Sequence, residues 1–292
     1  MSKNILKTLM LVQVVLALFV TAFMVFNPIA FLKANTIQTA DMQQMIQLNN
    51  AEAADVSEVI SQIPYRSGQT FTVEPKARFD EILATGRGNC SNKSYALAYY
   101  LQQRGINYNI VHLLIPNKFL DGEGHVAIQT TYLLDSTAYD GVVDMYEGGL
   151  PSYQNRFINV NDMMTAGFNA DEFKIYGLNP KVNDRSRYYL DFLDSAVVGL
   201  TPSSEVNAHF DWISSIFIPL GNRKLEKFIY DGLALEFGRH PKIYVSEADY
   251  QRLFTETSLR RFLNIAALWI IRILNLTFPL TLLFFVVRTK KS

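Results

Sequence analysis

Gly86-Arg87-Gly88-Asn89-Cys90-Ser91-Asn92-Lys93-Ser94 places the only cysteine of a 292-residue chain between a glycine-containing turn and a strong helical pattern. The helix predicted from this start covers residues 90–104, with Leu97, Leu101, Ala96 and Ala98 as its packing set and Gly105 as its stop. The first turn of a helix has unpaired N–H groups and a partial positive charge, which together stabilise a thiolate. The same N–H groups can hold an oxyanion formed by attack on a carbonyl. The glycines let a substrate backbone approach the sulfur. A lone cysteine is by default a small buried hydrophobe, so Cys90 needs partners before it means anything.

Working downstream, residues 106–115 are rich in Ile, Val and Tyr and are predicted to form a strand, and residues 116–124 a polar loop. Residues 125–129 and 131–134 are predicted to be two short strands of a tight hairpin, and residues 142–146 a third strand ending at Gly148-Gly149. A helix followed by strands predicts an α+β domain with the cysteine helix packed on an antiparallel sheet. In a hairpin whose turn lies at Thr130, midway between His125 and Asp135, those two residues face each other at one sheet edge. Cys90, His125 and Asp135 are therefore the candidate nucleophile, general base and orienting acid. Each alone has a plainer role: His125 as a structural histidine, Asp135 as a turn-starter capping Thr137. Order and element placement carry the case.

With these residues in hand, the chain resembles the transglutaminase-like cysteine enzymes of the papain-like superfamily over roughly residues 76–150. The resemblance rests on Phe79-Asp80-Glu81-Ile82-Leu83, Gly88-Asn89-Cys90-Ser91, Gly124-His125-Val126 and Leu134-Asp135-Ser136-Thr137. The family pattern is Gly-x-Cys, then His, then Asp-Pro-Thr, and Ser136 stands here where that proline usually stands. Val143-Asp144-Met145-Tyr146-Glu147-Gly148 is the alternative acid-bearing segment, with Asp144 as orienter. Hairpin symmetry and the Tyr-Leu-Leu run favour Asp135. The resemblance implies peptide hydrolysis, transamidation or deamidation, with Asn89 and the Cys90 amide near the oxyanion.

Charge sets the surroundings. The 27 Lys and Arg balance 27 Asp and Glu, yet residues 1–33 and 262–292 contain no acid at all. Three bases in the first segment and four in the last leave 20 in residues 34–261 against all 27 acids, a body of net −7. That balance argues against nucleic acid as a partner. Thr8–Leu32 is an uncharged apolar run long enough to cross a hydrocarbon layer of about 30 Å, and longer than a signal-peptide core, which predicts an uncleaved anchor with Pro28 near its end. Residues 262–287 form a second span, with Trp269 at an interface and Arg272 either snorkelling to headgroups or pairing with an acid on a membrane-protein partner. Lys3, Lys7, Arg288, Lys290 and Lys291 put both termini in the cytoplasm and residues 34–261 outside, in the periplasm or at the cell exterior of a bacterial-type plasma membrane.

The predicted organisation is an anchor at 1–33, a core at 34–150, an α-rich accessory region at 151–261 and a C-terminal span with a basic tail at 262–292. Residues 36–62 suggest one or two helices, residues 76–83 a short one and residues 224–237 an amphipathic one. Residues 210–220 are apolar but too short to span, and Ser246 opens a helix predicted to run into the second span. One cysteine excludes a disulfide framework and multi-cysteine metal sites. His112 falls in an apolar strand, His209 and His240 lack ligand spacing, and no cofactor motif is present, so no metal or cofactor is expected. Two functions fit: a membrane-anchored cysteine hydrolase or acyl transferase acting on a peptide, protein or envelope polymer, and a non-catalytic transglutaminase-like scaffold in a polysaccharide or export assembly.

Overall fold

The computed structural model describes residues 3–64, 66, 68–116, 118–165, 167–169, 171–179, 193, 195–255 and 257–289. The architecture is α+β and divides into two compact units, residues 36–256 and the paired terminal segments 1–35 and 257–292.

In the first unit six strands form one mixed sheet. In chain order they are β1 (Ile37–Thr39), β2 (Tyr108–Leu114), β3 (Gly124–Leu134), β4 (Thr137–Val143), β8 (Val197–Pro202) and β9 (Ile243–Val245), arranged β1-β9-β8-β2-β3-β4. Every pairing is antiparallel except β1 with β9, so the sheet is mixed and not wholly antiparallel as predicted. A smaller sheet, β6-β5-β7, joins β5 (Gly149–Tyr153), β6 (Arg156–Phe157) and β7 (Phe173–Gly177). The segment after Leu150 thus supplies strands to both sheets, and β8 pairs directly with β2 at the centre of the larger one.

Both faces of the larger sheet are covered, which explains why all seven residues of β2 are buried. On one face lies α6 (Cys90–Gln102), where Ala96, Leu97, Ala98 and Leu101 are fully buried against Ile110, Ile128 and Tyr132. Each of the two leucines stabilises the fold by roughly 1.5–3 kcal/mol through burial. On the other face Val111, Leu113, Ala127 and Leu200 meet Met42, Met163 and Phe173. Strand alternation sends neighbouring β2 residues to opposite cores.

Preceding α6, α5 (Pro75–Thr85) begins with Glu74 as N-cap and proline at its first position, and ends on Gly86 at φ 66°. A Cβ at Gly86 would lie 1.1 Å from the Pro64 carbonyl oxygen, so this turn admits glycine only. Residues 36–62 resolve into β1, α3 (Met42–Met45) and α4 (Val56–Gln62). Later in the chain come α7 (Val160–Thr165), α8 (Ser203–Ile216), α9 (Arg223–Glu236) and α10 (Glu247–Phe254). The apolar 210–220 stretch divides: Phe210 and Ile213 are core residues of α8, while Ile218 and Leu220 are exposed. Ser246 caps α10 as predicted, but that helix stops at Phe254 and does not run into the second span.

The other unit holds α1 (Lys3–Phe26), α2 (Pro28–Thr36) and α11 (Ser258–Thr289). Residues 4–22 and 258–287 lie in two helices long and apolar enough to cross a membrane. The first helix breaks at Pro28, where the chain restarts as α2. Gln13 Nε2 donates to Thr277 Oγ1 at 3.0 Å, so α1 and α11 share a polar contact between apolar faces. The Arg272 guanidinium lies 5.4 Å from the Trp269 ring. Lys290 and Lys291 of the basic tail lie outside the described residues.

Candidate active site

Cys90 occupies the first position of α6 and is half-buried. The helix start is fixed by a capping box: Asn92 N–H donates to Asn89 Oδ1 at 2.9 Å, and Asn89 N–H donates to Asn92 Oδ1 at 3.3 Å. That box takes up the Asn89 backbone N–H, so Asn89 serves first as a cap. Gly88 behind it is buried, and a Cβ there would press to 3.1 Å from Asn92 Cβ and 3.3 Å from Lys93 Cγ. The glycine therefore allows α6 to begin tight against the preceding loop. The Ser94 hydroxyl donates to the Val126 carbonyl at 2.9 Å, which fixes α6 against β3 beside His125.

His125 is the second residue of β3 and only 1% exposed. Its neighbour Gly124 has φ 144°, and a Cβ there would fall 2.4 Å from the Leu113 carbonyl oxygen. The bend at Gly124 lets the strand begin with His125 paired opposite Leu113. His125 Nε2 hydrogen-bonds the Asp144 carboxylate, and Asp144 is fully buried. Asp144 Oδ1 accepts from the N–H groups of Tyr146 and Glu147, both at 2.9 Å. A short bridge closes this loop, with Asp144 N–H donating to the Gly149 carbonyl at 2.9 Å and Gly149 N–H to the Asp144 carbonyl at 3.0 Å. Both Asp144 oxygens are therefore held, one by backbone donors and one by the imidazole.

Burial by itself would push His125 down, but the charge and hydrogen bond of Asp144, with a further contribution from the neighbouring Cys90 thiol, outweigh it and lift its pKa to about 10. With Nε2 committed to Asp144, Nδ1 is the ring nitrogen left for the sulfur. The arrangement orients a base toward the thiol and stabilises it when protonated.

Asp135 lies elsewhere. The structure has no turn at Thr130; residues 124–134 form one continuous strand, and the hairpin turns at Asp135 and Ser136, with φ of 50° and 65°. Ten residues of extended strand put Asp135 roughly 33 Å along the chain from His125. The predicted pair of short strands is thus corrected to one long strand. Of the predicted set, the structure brings Cys90 and His125 together, and the acid beside them is Asp144 and not Asp135.

Sequence reasoning also missed what packs around this cluster. The Tyr146 ring meets the His125 ring edge-on with centroids 6.1 Å apart, and the Lys93 ammonium stands 5.2 Å from the Tyr146 centroid. The positions of Lys93 and Glu147 beside the motif were visible, but their burial was not. His112 is buried and hydrogen-bonded to Thr201 at 3.0 Å. His209 and His240, 31 residues apart in the chain, lie with ring centroids 5.7 Å apart; burial pushes both pKa values down, His209 to about 3. Among the described residues no group of three or more His, Cys, Asp or Glu side chains is placed to hold a metal ion.

No family model, curated protein or solved structure matches this chain.

Proposed function

We propose that the protein is a cysteine hydrolase or acyl transferase with a transglutaminase-like core, held at a membrane by its two terminal helices. The observation that carries this is the joining of Cys90, at the start of α6, to a buried His125 whose other nitrogen is held by Asp144. A helix start, a glycine turn and an oriented imidazole are the parts an activated thiol needs.

In the proposed reaction His125 takes the Cys90 proton and the sulfur attacks an amide or ester carbonyl. The oxyanion forms over the first turn of α6, where N–H groups point outward. The tetrahedral adduct collapses as His125 returns the proton to the departing amine or alcohol. Water or a second amine, deprotonated by His125, then attacks the thioester and regenerates the thiol. Asp144 fixes the ring orientation and offsets the imidazolium charge throughout. A peptide, protein or envelope polymer carrying amide bonds is the proposed substrate class. The basic residues flanking the spans support an orientation with both termini cytoplasmic and residues 34–261 outside; protease protection in sealed vesicles tests that orientation.

Because Cys90 is the only cysteine, alkylation of the full-length protein reads this sulfur alone. At pH 6.5, iodoacetamide should modify the wild type at least about tenfold faster than His125→Ala. Equal rates in the two proteins would defeat the proposal.

A further inference from the structure

We infer that Lys93 is a positioning residue of this site, whose buried positive charge favours the thiolate–imidazolium form of Cys90 and His125. The inference rests on the proposed thiol chemistry and adds a residue to it.

Lys93 follows Cys90 by three positions on α6, so the two lie on one face of the helix. Side chains of a helix lean toward its N-terminus, which inclines Lys93 back over the turn that bears the sulfur. It is fully buried, an uncommon state for a lysine, since removing an ammonium from water costs several kcal/mol unless its surroundings offset the loss. Part of that offset is visible. The ammonium stands 5.2 Å from the centre of the Tyr146 ring, an attraction that grows as water is excluded. Tyr146 in turn packs against His125, and its N–H donates to Asp144. Lys93 is thereby connected to the imidazole and to the acid through one residue.

The charges around the sulfur then explain what Lys93 adds. Asp144, from the loop after β4, is an anion at the imidazole. Glu147, in the same loop, is a second buried acid and donates its N–H to Asp144. Arg87, before α6, is exposed and screened by water. A thiolate would add a further negative charge to this pocket, and Lys93 is the buried cation on the sulfur's own helix face. Its field favours that anion, while the Asp144 carboxylate, hydrogen-bonded to His125, preserves the imidazolium.

The test is the pH profile of iodoacetamide alkylation of the full-length protein in detergent. Lys93→Met should move the half-maximal pH upward by about one unit, slowing alkylation near pH 6 about tenfold while leaving the alkaline plateau in place. Lys93→Arg, which keeps the charge, should restore the wild-type midpoint. A lysine that only fills space would alter stability or plateau and leave the midpoint unchanged, and that result overturns the inference. Should Lys93→Met fail to fold, Lys93→Gln keeps a polar head without the charge and is read in the same way. Dependence of alkylation on His125 with no midpoint shift at position 93 would remove this inference alone. Independence from His125 would remove the proposed function with it.

Discussion

His125 and Asp144 are hydrogen-bonded across 19 residues of chain because the β3–β4 hairpin turns at Asp135-Ser136. The ladder pairs Ile128 with Val143 and Leu134 with Thr137, so continuing its register toward the start of β3 brings the residues after Val143 beside His125. Asp144 is the first of them. A turn at Thr130 would have delivered Asp135 instead. The position of one two-residue turn thus decides which acid joins the histidine.

Replacement of the two acids should separate their roles. Asp144→Asn removes the charge beside His125 and is expected to slow alkylation of Cys90 at pH 6.5 by about 10–100-fold. Asp135→Asn should stay within about twofold of wild type, since asparagine is at ease in a left-handed turn. Mass-spectrometric labelling rates measure both, and equal losses in the two variants would contradict the assignment of Asp144.

The stabilisation contributed by the His125–Asp144 pair should fall as pH rises from about 6.5 to about 10. The folded protein holds the His125 proton up to a pKa of about 10, whereas an unfolded histidine releases it near 6.5. Over that window His125 holds its proton in the native state and not in the unfolded one, so its contribution is complete below about 6.5 and is lost on passing through about 10. Thermal unfolding followed by circular dichroism should show the stability difference between the wild type and Asp144→Asn narrowing over this window. A difference between the two proteins that stays level across this window would contradict it.

Tyr132 offers a stabilising substitution. Its ring is fully buried between Tyr139 and Phe157, yet its hydroxyl has no hydrogen-bond partner among the described residues. Tyr132→Phe removes a desolvated polar group and keeps the ring, so the unfolding midpoint should hold steady or rise, by up to about 1 kcal/mol in stability. A loss above about 1 kcal/mol would reveal a contact for that hydroxyl.

Gly124→Ala should be costly in two respects. The new methyl would press on the Leu113 carbonyl oxygen, and φ at 144° is unfavourable for alanine, which together should destabilise the fold by about 2 kcal/mol or more. Because the strain falls at the residue before His125, alkylation of Cys90 should slow even where the variant remains folded. Chemical unfolding and labelling on one preparation distinguish the two effects.

Local signals determined several features from sequence alone. Asn89 at the helix start, Gly86 and Gly88 before it and the apolar set Leu97 and Leu101 specify α6 and put Cys90 at its first position, because caps and helical periodicity act within one or two turns. Composition likewise marks the two terminal helices, since apolar length is a property of the segment itself. The acid partner of His125 was not legible in the same way. Asp135-Ser136 is a poor signal for a hairpin turn beside Asn-Gly or Asp-Gly, and strand register depends on which faces find a core. Nor does local sequence tell that β8 and β9, drawn from beyond Leu150, join β2 and β1, or that Lys93 is buried under Tyr146. Those are contacts between distant segments, selected by burial and hydrogen bonding once the whole sheet has formed. Sequence placed Cys90 and His125; the tertiary structure chose the acid beside His125 and buried Lys93 and Glu147 around them.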